Sequence, residues 1–66
     1  MYIASEISIE TNEKTGFSIM DNSLENLSNM MNCIDFERSY WVVTNQYHDE
    51  KYIMKSRGEL KKMAIT

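Results

Sequence analysis

The sequence has no proline, two glycines, one cysteine and one histidine. A single cysteine excludes an internal disulfide, and Cys33 with His48 provides too few ligands for a cysteine–histidine zinc site. We therefore expect no metal and no cofactor. Because the chain has 66 residues, we expect one domain, residues 1–66. A domain of this size buries only about 60% of its unfolded surface, so it depends on good packing or on self-association.

Long apolar segments are also missing. Residues 1–10 contain no basic group and no long apolar run, so we expect no signal peptide. The longest apolar run, residues 40–43, is far too short to cross a bilayer. With one free cysteine, this predicts a cytoplasmic protein with no membrane partner. The lysine-poor, asparagine-rich and proline-free composition is compatible with an AT-rich bacterial or phage gene, and a phage or prophage accessory protein is one expectation.

Charge is unevenly distributed along the chain. The net charge is −3, but residues 1–33 carry five acidic side chains against Lys14, and residues 34–66 carry six basic against five acidic side chains. This balance excludes a uniformly basic nucleic-acid-binding protein.

The segment around which the chain is organised is residues 38–46, which include the only tryptophan, Trp41, and the adjacent valines Val42 and Val43. Aromatic and β-branched residues suit a half-buried pleated surface, so we predict the central strand here.

An N-terminal hairpin precedes this strand. Residues 3–9 alternate between apolar and polar positions, with Ile3, Ile7 and Ile9 on one face. Residues 11–16 are predicted to form the loop, with Gly16 supplying a positive φ. Residues 17–20 then return, with Phe17 and Ile19 expected on the face of Ile7.

A helix is predicted over residues 23–34. Asn22 and Glu25 resemble a capping box, and the asparagines in this segment mean that the helix depends on tertiary packing. We expect Met30 to be partly buried beside an apolar stripe at helical spacing, made of Leu24, Leu27, Met31 and Ile34.

A second hairpin is predicted to turn at His48 and Asp49, which pairs Gln46 with Lys51, Thr44 with Ile53 and Val42 with Lys55. Its core face would carry Trp41, Val43, Tyr52 and Met54. After it, Ser56 and Glu59 match a capping box, which predicts a short terminal helix over residues 57–64.

These elements predict an α+β fold with the order β-β-α-β-β-(α). It has a four-stranded, mainly antiparallel sheet and one main helix on one face.

We predict that the protein is not an enzyme. His48 lies in a polar turn, where a histidine is usually a solvated side chain. Cys33 is followed by Asp35 and Glu37 rather than by basic groups, so we expect a buried, inert thiol. Glu6 and Glu10 are expected to form a solvated strand face rather than an acid–base pair.

The second face of the later hairpin suggests a binding function instead. It carries Tyr40, Val42 and Ile53 within a polar rim, and such patches tend to be interfaces. The predicted function is a small cytoplasmic protein-binding module, an accessory or inhibitor protein that occupies a partner's surface. The partner is another protein or a second copy, with a homodimer favoured unless the terminal helix folds back over this face.

The alternative is a small nucleic-acid-binding regulator. It would use the basic residues of the last third of the chain, which are Lys51, Lys55, Arg57, Lys61 and Lys62.

Overall fold

The computed structural model describes residues 1–63 and shows an α+β fold. A five-stranded sheet is antiparallel throughout, with the strand order β2-β1-β3-β4-β5. The strands are β1 (Tyr2–Ser8), β2 (Lys14–Asp21), β3 (Ser39–Asn45), β4 (Lys51–Met54) and β5 (Leu60–Lys62), and one helix, α1 (Leu24–Met30), lies between β2 and β3. Within residues 1–63, the helical segments are too short and too polar to cross a membrane.

The core forms between α1 and one face of the sheet, the covered face. As predicted, β3 is the middle strand of the sheet. Trp41 is fully buried in one cluster with Leu27 and Met31, which confirms the expected contact between the central strand and the helix stripe. Ala4, Val43 and Met54 complete this cluster. The small side chain of Ala4 leaves room on β1 for its large neighbours on β3.

The helix is shorter than the predicted segment 23–34. Ser23, not Asn22, is the N-cap: its hydroxyl accepts the Asn26 N–H at 3.2 Å, and its own N–H donates to Asp21 Oδ1 at 2.7 Å. After Met30 the chain tightens into a 3-10 turn, Met31–Cys33. The asparagine-rich sequence gives little intrinsic stability to a longer α-helix, and the buried Met31 belongs to the 3-10 turn rather than to α1. Met30 is exposed, contrary to the prediction.

The N-terminal hairpin differs from the prediction in the position of Gly16. Its positive φ of 97° is confirmed, but Gly16 lies inside β2, at an irregularity where the register shifts between Ser5 and Ile7. The loop itself uses Asn12, with φ of 58°. One residue of β1 lies opposite three residues of β2 at the irregularity, so the two extra residues of β2 form a bulge.

The predicted face of Phe17 and Ile19 is wrong, because the hairpin register pairs odd-numbered residues of β2 with even-numbered residues of β1. Ile19 pairs with Ala4, and the Phe17 ring centroid lies 5.7 Å from that of Trp41, so both side chains are on the covered face. Ile7 pairs with Tyr40 and therefore points to the opposite face.

The second hairpin has a longer loop than predicted. Thr44 pairs with Lys51 and Val42 with Ile53, so each predicted pair is wrong by two residues. Because side chains alternate with a period of two, a two-residue shift leaves each side chain on its predicted face. The predicted core positions Trp41, Val43 and Met54 are accordingly fully buried.

The predicted terminal helix is wrong over the described residues, and Ala64 lies outside them. Residues 56–59 form a turn in which the Glu59 N–H donates to the Ser56 carbonyl at 3.1 Å and Gly58 has φ of 75°. The chain then forms β5, which pairs with β4 and gives the sheet five strands rather than four. A glycine in the first turn disfavours a helix, whereas the free edge of β4 offers backbone partners.

Candidate functional site

The candidate site is the sheet face opposite α1, called the open face below. Neighbouring residues in antiparallel register share a face, so the strand pairings define its members. They are Ile3, Ser5, Ile7, Lys14, Ser18, Met20, Tyr40, Val42, Thr44, Lys51, Ile53 and Lys61. No element within residues 1–63 lies across this face.

The three predicted partner-binding residues lie together on the open face. Val42 and Ile53 are direct cross-strand partners, and Tyr40 precedes Val42 by two positions on β3. Ile3 and Ile7 on the adjacent β1 extend the same apolar area. Tyr40, Val42 and Ile53 are all half-buried, so the centre of the face is apolar and still reaches solvent.

Two contacts fix the side chain of Tyr40, one at its hydroxyl and one at its ring. The phenol donates to Asn12 Oδ1 at 3.3 Å, which fixes the ring against the β1–β2 loop. The Lys55 ammonium lies 5.6 Å from the ring centroid, within the range of a cation–π contact. One surface of this ring is therefore already occupied by a cation.

The five predicted basic residues separate into two groups. Lys51 and Lys61 are on the open face, and Lys55 joins them through Tyr40. Lys62 instead pairs with Tyr52, whose side chain packs on the core, so Lys62 is on the covered-face side. Arg57 lies in the exposed turn before β5, and the Gly58 N–H of that turn donates to Asn32 Oδ1 at 3.1 Å.

Sequence reasoning missed Lys14, Ile3 and Ile7 as members of this site. Lys14 pairs with Ile7, which places a further ammonium group beside the apolar centre. The alternation in β1 was visible, but its isoleucines were treated as the core side. The small Ala4, on the opposite face of the strand, was the available signal that the buried side of β1 must accommodate larger neighbours.

Two grooves cross the open face. Ser5, Ile7, Val42 and Thr44 line a groove of about 310 Å³ that also includes Lys14 and Lys51. A second groove, of about 340 Å³, is lined by Ile9, Asn12, Tyr40 and Lys55. Each groove therefore combines apolar surface with at least one ammonium group.

The other side chains that the sequence suggested for chemistry, Glu6, Glu10, Cys33 and His48, lie in different segments of the described chain. Glu6 is on the covered-face side opposite Trp41 and accepts a hydrogen bond from the Thr15 hydroxyl, whereas Glu10 lies beyond the end of β1. His48 is exposed in the β3–β4 loop. Cys33 is an exposed free thiol, so its predicted burial is wrong. Over the described residues, histidine, cysteine and acidic side chains form no group of three that could hold a metal ion.

Comparison with protein-family models, with curated proteins and with solved structures finds no match to this chain.

Proposed function

We propose that the protein is a small non-enzymatic binding module that acts through the open face. The observation that supports this most strongly is the uncovered cross-strand pair of Val42 and Ile53 at the centre of a five-stranded sheet. Burial of apolar surface is the main favourable contribution to protein association, and an apolar centre with a polar rim is typical of interfaces.

The proposed partner is another protein in the cytoplasm. In the setting of a phage or prophage, such a module would act as an accessory protein or inhibitor that occupies a functional surface of its partner. The spread of the face supports this, because its apolar residues extend over the adjacent strands β1, β3 and β4 with lysines around them, as in the apolar centre and polar rim of a protein interface.

The second candidate function, a nucleic-acid-binding regulator, is favoured by the convergence of Lys51, Lys55 and Lys61 on one face. It is weakened by the position of Arg57 and Lys62, which lie away from that face. A phosphate backbone would contact the remaining lysines but would gain little from the apolar centre.

Site-specific photo-crosslinking in the producing cells tests the proposal. A photoreactive residue at Thr44, exposed on the open face, is expected to give a discrete protein adduct, and Val42→Asp is expected to abolish it. The same residue at Asn29, exposed on α1, provides the control. Equal adducts from both positions, or none from Thr44, would argue against the open face as the binding surface.

A further inference from the structure

The open face concentrates positive charge on a protein whose net charge is −3. Four of the seven basic side chains of the protein surround the apolar centre of the open face. These four residues, called the lysine rim below, are Lys14, Lys51, Lys55 and Lys61. The acidic side chains of the strands are Glu6 and Asp21. Both are on the covered-face side, where Glu6 is the cross-strand partner of Trp41 and Asp21 is the partner of Tyr2. The acidic residues nearest to the rim along the chain, Glu13, Glu50 and Glu59, lie in the connections between strands, and the Glu50 carboxylate accepts a hydrogen bond from the Tyr52 hydroxyl.

This arrangement opposes the overall charge of the molecule. An acidic protein that carries a local cluster of cations has a directional field, and such a field selects and orients a partner of opposite sign. Lys14 and Lys51 line the same groove, whose walls include Ile7 and Val42. A carboxylate in this groove would lie between two ammonium groups while its own methylene groups contact apolar surface.

We propose that the partner presents an acidic protein surface with an apolar centre. Its apolar side chains cover Val42, Ile53 and Ile3, and its carboxylates contact the lysine rim. This inference rests on the proposed function of the open face and adds the chemistry of the partner to it.

The ring of Tyr40 argues against a single-stranded nucleic acid as the occupant. Base stacking needs a free aromatic surface, and Tyr40 is the aromatic residue that the described strands place on the open face. Lys55 lies over this ring, and Asn12 accepts a hydrogen bond from its hydroxyl. The other half-buried tyrosines, Tyr2 and Tyr52, contact each other on the covered-face side.

The lysine rim also argues against a second copy that packs face to face. Such a dimer would bring the ammonium groups of one copy against those of the other, without strand carboxylates to offset them. Like charges across an interface are strongly unfavourable. A different protein with acidic groups is therefore better supported as the occupant than self-association through this face.

The test is an amide NMR titration of the 15N-labelled protein with three probes at equal ionic strength. The probes are a peptide of repeated Glu-Glu-Leu triplets, the matching Lys-Lys-Leu peptide and a twelve-residue oligodeoxythymidylate. We expect the acidic peptide alone to shift resonances, and the shifts to map to Ile3, Ile7, Val42 and Ile53. Equal binding of both peptides would overturn the acidic chemistry while leaving the open face as the binding surface.

Two double variants separate the lysine rim from net charge. Lys14→Glu/Lys51→Glu reverses the charge of two rim residues, and Arg57→Glu/Lys62→Glu makes the same change in net charge away from the open face. We expect the first to weaken binding of the acidic peptide by about three- to thirtyfold and the second by less than about twofold. Circular dichroism confirms that each variant is folded.

Three further results would overturn the inference. If both double variants weaken binding equally, the interaction depends on net charge alone. If the oligonucleotide shifts the open-face resonances, the partner is a nucleic acid. If no probe binds, the lysine rim does not recognise carboxylates, whereas the crosslink from Thr44 still decides independently whether the face binds a protein.

Discussion

The indole Nε1 of Trp41 donates a hydrogen bond of 2.7 Å to the backbone carbonyl of Met31. Both residues are fully buried, so the bond joins the middle strand of the sheet to the chain just beyond α1. The last carbonyls of a helix lack partners within the helix. This hydrogen bond therefore satisfies both the buried carbonyl of Met31 and the indole N–H of Trp41, and it fixes α1 against the covered face.

Trp41→Ala is expected to unfold the domain, because truncation of a buried aromatic side chain costs about 3–5 kcal/mol and a domain of this size has little more stability to lose. Trp41→Phe keeps most of the ring but leaves the Met31 carbonyl without its donor, at a cost of about 1–3 kcal/mol. Urea unfolding followed by far-ultraviolet circular dichroism measures both. Tyr47→Ala, at a side chain that is 75% exposed, is the control and should change stability by less than about 0.5 kcal/mol. A Trp41→Ala variant with an unchanged midpoint would contradict this role.

Gly16→Ala is expected to destabilise the protein by about 1–3 kcal/mol through backbone strain alone. Gly16 has φ of 97°, and an added Cβ would meet no atom within 4 Å. No steric clash therefore contributes to the cost. Ser18→Ala, at an exposed position of the same strand, is the matched control. The measurement is the urea midpoint at constant m-value, and equal midpoints for the two variants would show that the bulge adapts to a side chain.

The side chain of Tyr52 is expected to have a pKa above the ordinary value of a tyrosine. Its hydroxyl donates to Glu50 Oε2 at 2.6 Å, and this hydrogen bond, with burial and the carboxylate charge, raises the pKa of Tyr52 to about 12. An unfolded chain releases the same proton near pH 10. The stabilisation is therefore fully present below about pH 10 and is lost as pH rises from about 10 to about 12.

Ultraviolet titration of the phenols checks this prediction. Glu50→Gln should lower the pKa of Tyr52 and shift the loss of stability to lower pH, whereas Glu13→Gln, the same change in an exposed loop, should leave both unaltered. A Tyr52 pKa that is the same in Glu50→Gln and in the unchanged protein would exclude the Glu50 carboxylate as the cause.

The thiol of Cys33 is expected to react rapidly in the folded protein, because it is exposed at the end of the 3-10 turn. Its labelling rate with a maleimide should be close to that of the urea-unfolded chain. Cys33→Ser should change stability by less than about 0.5 kcal/mol, as is usual for an exposed position. Strong protection in the native state would mean that the turn packs differently.

The parts of the fold that depend on local pattern could be predicted from the sequence. Trp41 and Val43 are two positions apart in the central strand, and Leu27 and Met31 lie at helical spacing. Such periodicities decide which side chains are buried even when the register is wrong by two residues. The apolar centre of the open face, Val42 with Ile53, followed from the same alternation.

The parts that depend on partner strands could not be predicted in this way. Ser56 and Glu59 match a helix start, but the unpaired edge of β4 stabilises a strand there instead, so tertiary pairing overrides local preference. Lys14 joins the open face only because β1 pairs with both β2 and β3. No local signal in the sequence near Lys14 specifies that neighbour.

The exposed edge strand β2 leads to the last prediction. It is eight residues long and leaves Phe17 and Met20 exposed, with charged side chains only at its ends, Lys14 and Asp21. The opposite edge, β5, is three residues long and carries two lysines. A long edge with few charges is a template for pairing with another chain, so aggregation is expected to begin at β2.

Met20→Lys is expected to slow aggregation on heating by replacing an exposed apolar side chain of this edge with a charged one. Met30→Lys, at an exposed methionine of α1, is the matched control. Both changes move the net charge from −3 to −2, and a smaller net charge by itself promotes association. Light scattering should therefore show slower aggregation for Met20→Lys and equal or faster aggregation for Met30→Lys. If both variants aggregate at the same rate, the β2 edge is not the site at which the chains first pair.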